Sequence, residues 1–182
     1  MPSKSKENRI LELFLNSSMK QWHFDEIVRK TGMSRSIVLK WLDRLRKEGI
    51  IKKAKEKGKM PYFISDFENP GYKNKKRLYS LERFYETGFL NHLTSLKKAM
   101  AVILFGSFAR SDWYKDSDID VFIYGDDEGF SPYYYQSKLK RTIQCFVVKD
   151  KEDINKFTPD FIQNLANGYI VKGRLDFLRV GS

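Results

Sequence analysis

The sequence predicts an α+β chain of two small domains, and three observations carry that prediction. Residues 1–66 hold three stretches of helical apolar spacing, then two short apolar segments around a basic turn. Further on, Ala101–Phe105 and Ile119–Tyr124 are strand-length apolar runs, bounded by glycine or aspartate. Between the halves, Ser65 to Lys76 shows no apolar periodicity and contains Asn69-Pro70-Gly71, which predicts a linker over 67–77 and domains at 1–66 and 78–182.

In the first half, Ile10, Leu11, Phe14 and Leu15 recur at helical spacing within Glu7 to Ser17, giving one apolar face. Trp22 and Phe24 open the next packing layer. Asp25 to Lys30 makes a short second helix bearing Ile27 and Val28. Thr31-Gly32-Met33 breaks it, and Ser34 is placed to cap a third. There Ile37, Val38, Trp41, Leu42 and Leu45 face the core, while Arg35, Ser36, Lys40, Arg44 and Lys47 fall on the outer side. Gly49 stands at the helix C′ position, Ile50-Ile51 opens a strand, and Lys52 to Lys59 is basic before the apolar return Tyr62-Phe63-Ile64.

Helix, tight glycine turn, helix and a hairpin with a cationic tip make a winged helix-turn-helix, an arrangement that binds DNA. Arg35, Ser36, Lys40 and Arg44 are then the face for a major groove, and Lys52, Lys53 and Lys57 lie on the wing. A small packing domain with solvated charges is the competing reading. Charge placement favours DNA: residues 1–66 carry 16 Lys and Arg against 8 Asp and Glu, and the remainder 18 against 15. A polyanion meeting such a surface releases counterions, which supplies affinity without sequence preference.

Leu78, Leu81, Phe84, Tyr85, Phe89, Leu90 and Leu93 resume helical spacing, interrupted at Thr87-Gly88. The strand Ala101–Phe105 runs into Gly106-Ser107, and Phe108-Ala109-Arg110 starts a short helix. Glycine lets backbone approach a phosphate, while Ser107 and helix-start amides donate to its oxygens. Ten residues later Asp118-Ile119-Asp120 opens a second strand, where side chains two apart share a face, so both carboxylates grip one metal. Phosphoryl transfer needs such hard oxygen ligands. Solvated acids at a strand entrance are the plain alternative, since Asp112, Asp116, Asp126 and Asp127 lie nearby.

The string GSFARSDWYKDSDIDV, residues 106–121, resembles the nucleotidyltransferase signature of the DNA polymerase beta superfamily. It looks most like the minimal prokaryotic members, over residues 78 to about 178. The resemblance implies a small mixed-sheet domain in which Gly106, Ser107 and Arg110 hold nucleotide phosphates and Asp118 and Asp120 are catalytic ligands of Mg2+ or Mn2+. It implies a nucleoside triphosphate, ATP first, as substrate, and an acceptor hydroxyl on a protein or an RNA terminus. The family's third carboxylate lies on a later strand, here Thr142 to Val148, where Gln144 takes its place. A neutral amide does not accept a proton, so a nucleotide-sensing transcription regulator stands beside the enzyme. A third reading is an antitoxin that represses its own operon and modifies or masks a HEPN-type partner protein.

Apolar runs are too short for a membrane helix, the start has no export signal, and Cys145 is the only cysteine. These features predict a cytoplasmic protein with no membrane partner, no disulfide and Cys145 as a core thiol. A homodimer is compatible with a winged-helix regulator. His23 and His92 are isolated packing or surface residues, and Tyr133-Tyr134-Tyr135 is a helix face or a stacking surface. The tail from Phe161 to Gly173 reads as a closing helix and short strand.

Overall fold

A computed structural model describes residues 6–154 and 156–176. It contains two compact units, residues 1–76 and 77–182.

In the first unit α1 (Lys6–Asn16) is followed by β1 (Trp22–His23), α2 (Phe24–Thr31), α3 (Arg35–Lys47), β2 (Ile51–Ala54) and β3 (Tyr62–Ser65). The strands form an antiparallel sheet in the order β1-β3-β2, with Lys53 opposite Phe63. Ile10, Leu11, Phe14, Leu15, Ile27, Val38, Leu42 and Leu45 are buried, so the three helices share one apolar centre. Ile37 and Trp41, expected in that core, are only half-buried at its margin. Gly32 and Gly49 end α2 and α3 in the left-handed conformation, at φ 65 and 70. Ser34 occupies the cap position of α3, yet its side chain makes no capping bond there. Its Oγ instead lies 3.2 Å from Ser36 Oγ.

The segment expected as a linker is helical from Pro70 onward: α4 spans Pro70–Glu86, and the division between units falls within it. Asn69 Oδ1 accepts the Gly71 N–H at 2.8 Å, and proline suits a first helical position. Tyr72, Lys76 and Tyr79 are buried at helical spacing. That stripe consists of tyrosines and a lysine stem, which a count of aliphatic residues passes over. Tyr72 Oη donates to the Phe14 carbonyl, and Lys76 Nζ to Ser18 Oγ. Of the residues expected on the apolar face, Phe84 is buried, whereas Leu78 and Tyr85 are exposed by 64% and 66%.

The second unit continues with α5 (Phe89–Ser95), β4 (Ala99–Phe105), α6 (Gly106–Arg110), β5 (Ile119–Gly125), α7 (Pro132–Leu139), β6 (Ile143–Val148), α8 (Lys151–Ile154), α9 (Pro159–Ala166) and β7 (Tyr169–Lys172). The sheet order is β6-β5-β4-β7, with β5 and β6 parallel and the other pairs antiparallel. One face carries Ala101, Ile103, Phe105, Phe122 and Val148, with Ile154 and Leu165 packed on it. The other carries Val102, Leu104, Ile119, Val121 and Ile123, all buried. Both faces are covered, which explains why β4 and β5 read as continuous apolar runs rather than alternating ones. Of the domains expected at 1–66 and 78–182, residues 1–5, 155 and 177–182 lie outside the described residues.

Candidate active site

The site forms where β4 ends and β5 begins. Phe105 pairs with Asp120 across the antiparallel ladder, so the turn leaving β4 faces the second aspartate. Gly106 takes φ 67, and a Cβ there would overlap Asp120 Oδ2. Only glycine allows this turn and carboxylate to pack together. Ser107 follows, half-buried at the start of α6. Asp118 stands just ahead of β5 and Asp120 within it, both partly buried. Being two apart on extended backbone, they project to the face that carries Phe105 and Phe122.

β6 supplies the third side chain. Its parallel register sets Gln144 opposite Asp120, and Gln144 Nε2 donates to Asp118 Oδ2 at 2.6 Å. Gln144 itself is exposed. Burial raises the Asp120 pKa above the ordinary carboxylate range, the Asp118 charge raises it further, and Arg110 works against both. Two neighbouring carboxylates beside a backbone turn present hard oxygens of the kind that Mg2+ or Mn2+ accepts. Among the described residues no group of three His, Cys, Asp or Glu is placed to share a metal.

Arg110, at the end of α6, is exposed and held on two sides. Its Nε donates to Asp112 Oδ2 at 2.9 Å, and its Nη1 donates to Asn164 Oδ1 on α9 at 3.0 Å. Asn164 carries no signal in the local sequence, because it arrives from α9, far along the chain. Arg141 is a second such residue: its Nη1 donates to the carbonyls of Tyr114 and Ser117 at 2.6 and 2.9 Å. Its guanidinium covers the rings of Trp113 and Phe108. It thereby ties down the loop that delivers Asp118.

In the first unit Arg35, Ser36, Lys40 and Arg44 all lie exposed on α3. Two of them are engaged by acids. Arg35 pairs with Asp25 at 2.6 Å, and Arg44 with Glu48 at 2.7 Å and Glu7 at 3.9 Å. On the hairpin Lys52 pairs with Asp66 at 3.4 Å, and Lys53 Nζ lies 5.9 Å from the Phe63 ring centre. Lys40 and Lys57 make no ion pair among the described residues.

The candidate site thus joins a mixed sheet, a strand-to-helix glycine turn and two aspartates beside it. Residues 90–175 match the protein family described as Polymerase beta, Nucleotidyltransferase. Neither the curated proteins nor the solved structures yielded a match to the chain. The matched segment contains Gly106, Ser107, Arg110, Asp118, Asp120 and Gln144, and its small mixed sheet fits a polymerase beta-like domain. The activity class that follows is nucleotidyl transfer in general.

Proposed function

We propose that the second unit moves a nucleoside monophosphate from a nucleoside triphosphate, ATP first, to an acceptor hydroxyl. The packing of Gly106 against Asp120 carries this reading, since it brings a phosphate-accommodating turn and a metal-binding carboxylate to one point. Gly106 and Ser107 hold the triphosphate. Arg110, braced by Asp112 and Asn164, faces its negative charge. Asp118 and Asp120 would hold Mg2+ or Mn2+, which neutralises phosphate charge and makes the acceptor hydroxyl more acidic. The acceptor oxygen bonds to the α-phosphorus, the bond to the bridging oxygen breaks, pyrophosphate leaves, and the acceptor's hydroxyl proton passes to solvent water. Gln144 donates to Asp118 and takes no proton, so this chain supplies orientation and charge rather than a base on β6.

The first unit is read as a winged helix that binds duplex DNA through Lys40 and Arg35 on α3 and Lys57 on the hairpin, with Ser36, Arg44, Lys52 and Lys53 beside them. Its order of helices and strands and its exposed cations support this.

One observation favours a second reading. The amide of Gln144 engages a carboxylate that a metal would need, as suits a nucleotide sensor on a DNA-binding regulator. Magnesium-dependent binding and turnover of each labelled nucleoside triphosphate separates the two. Transfer by the native chain that disappears in the Asp118→Asn, Asp120→Asn variant establishes the enzyme. Binding without transfer, with transfer appearing in Gln144→Asp, establishes the sensor.

A further inference from the structure

A pocket of about 100 Å3 lies in the second unit where α4, α6 and the turn into β7 meet. Its floor is apolar, made by Leu81, Phe84, Leu104 and Phe108, of which the last three are buried. The Phe84 and Phe108 rings lie 5.3 Å apart at 49°, and Trp113 stacks on Phe108. One wall is tightly seated: a Cβ at Gly168 would overlap the Ile103 side chain and the carbonyls of Leu104 and Leu165, so the turn packs onto β4 without a gap. The mouth is polar and carries one charge. Arg77 is exposed and makes no ion pair among the described residues, and its Nη2 donates to the Ala109 carbonyl in α6 at 2.9 Å. No Asp or Glu lines the pocket. Asn167 and Tyr169 stand exposed at the rim, and neither the Asn167 side-chain amide nor the Tyr169 hydroxyl bonds to a described residue. Leu104 projects to the sheet face opposite the one that carries Phe105 and Asp120, so the pocket and the candidate active site lie on opposite faces with α6 in common.

We propose that this pocket binds a small aromatic carboxylate, its ring on Phe84 and Phe108 and its carboxylate on Arg77, at a site separate from Asp118 and Asp120. Volume sets the size of the ligand. A closed apolar cavity of about 150 Å3 holds one benzene ring, and this smaller pocket opens to solvent, so it takes a single ring with its substituent at the mouth. A ring also meets the two phenylalanines in the tilted or edge-on arrangements that aromatic pairs favour. Charge sets the substituent. Arginine has five N–H donors in a planar fork, and one of them is given to Ala109, which leaves the rest for a carboxylate. With no acid at the mouth, nothing in the pocket competes for them. A neutral ring would leave the one charge unmatched, and a cationic ring would be repelled by it. A ligand on Arg77 sits against the last turn of α6, the helix that begins with Gly106 and Ser107.

The test uses the full chain, isotope-labelled at nitrogen, and follows its amide resonances while benzoate, benzamide or acetate is added at constant ionic strength. Benzoate should half-saturate at about 1 mM or below, the range of a single-ring ligand, and should move the amides of Asn167, Gly168 and Tyr169. Benzamide keeps the ring and loses the charge, and acetate does the reverse; each should bind at least about tenfold more weakly. Arg77→Gln should reduce benzoate to the level of benzamide, and Arg77→Lys should recover part of the loss. Leu81→Trp, which fills the pocket from a half-buried position, should abolish binding of both rings while the rest of the spectrum stays in place. None of these readouts needs turnover, so they stand apart from the transferase reading. Equal binding of benzoate and benzamide, or undiminished benzoate binding by a folded Arg77→Gln chain, would overturn the proposal, as would the lack of any saturable shift with benzoate. Shifts confined to Gly106, Ser107 and Asp120, or displacement of benzoate by magnesium ATP, would also refute it, because either result puts the ring in the candidate active site.

Discussion

Gly106 is the residue on which the candidate site depends most closely. Its left-handed φ alone costs a substituted side chain about 1–2 kcal/mol, and the overlap with Asp120 adds to that. Gly106→Ala should therefore lower the melting temperature and suppress transfer by more than 100-fold, against a background of about 10-fold per 1.4 kcal/mol of lost transition-state stabilisation. A variant with native stability and turnover would refute the tight packing. Cys145 behaves in the opposite, inert manner. Burial pushes its thiol from 9.0 up to about 12, and Asp127 adds to the shift. As pH rises from 9.0 towards 12 the unfolded thiol loses its proton and the folded one keeps it, so this group's contribution to stability falls over that window. At pH 8 iodoacetamide should label the native chain at least about 100-fold more slowly than the urea-unfolded chain, since only the thiolate reacts. Comparable rates would show that the thiol ionises normally.

At the scale of the element, α4 shows how a helix escapes a reading based on aliphatic spacing. Its buried stripe is Tyr72, Lys76, Tyr79 and Phe84, and Leu78 and Tyr85 point outward. Leu78→Ser and Tyr85→Ser should each change unfolding free energy by no more than about 0.5 kcal/mol, while Phe84→Ala should cost about 3–5 kcal/mol. Denaturant titration orders the three, and a large loss in Leu78→Ser would contradict the observed facing. On α3 the ion pair between Asp25 and Arg35 competes with any phosphate for the same guanidinium. Asp25→Asn should therefore tighten duplex DNA binding and steepen its salt dependence by up to about 0.9, the slope of one phosphate contact. Lys57→Ala on the hairpin should flatten it by a similar amount. If neither variant moves the slope, α3 and the hairpin do not meet DNA.

For the whole molecule the prediction is separability. The carboxylates lie in the second unit and the α3 cations in the first. Asp118→Asn with Asp120→Asn should abolish transfer and leave duplex binding within about twofold. Lys40→Ala with Lys57→Ala should do the reverse. Loss of both activities in either variant would show that the two units do not divide the work in this way. No helix among the described residues is long and apolar enough to cross a membrane.

Much of this protein is legible in the chain because it is local. Helical spacing in α1 and α3, the glycines that end α2 and α3, the strand-to-turn passage into Gly106-Ser107 and the spacing of Asp118 and Asp120 all act through neighbours in sequence. Backbone sterics and side-chain periodicity suffice to read them. The third position of the site is also legible, since an unbroken strand containing Gln144 follows β5. What only the tertiary structure decided are the contacts between residues far apart in the chain. The Asp120 carboxylate lies against the Gly106 turn, the Gln144 amide engages Asp118, Asn164 braces Arg110, and Arg141 holds the Asp118 loop. Each depends on strand register or helix packing, which no local pattern encodes. The same reason makes the first half of α4, residues 70–77, read as a linker: a tyrosine and a lysine stem become a buried stripe only when there is a surface to bury them against.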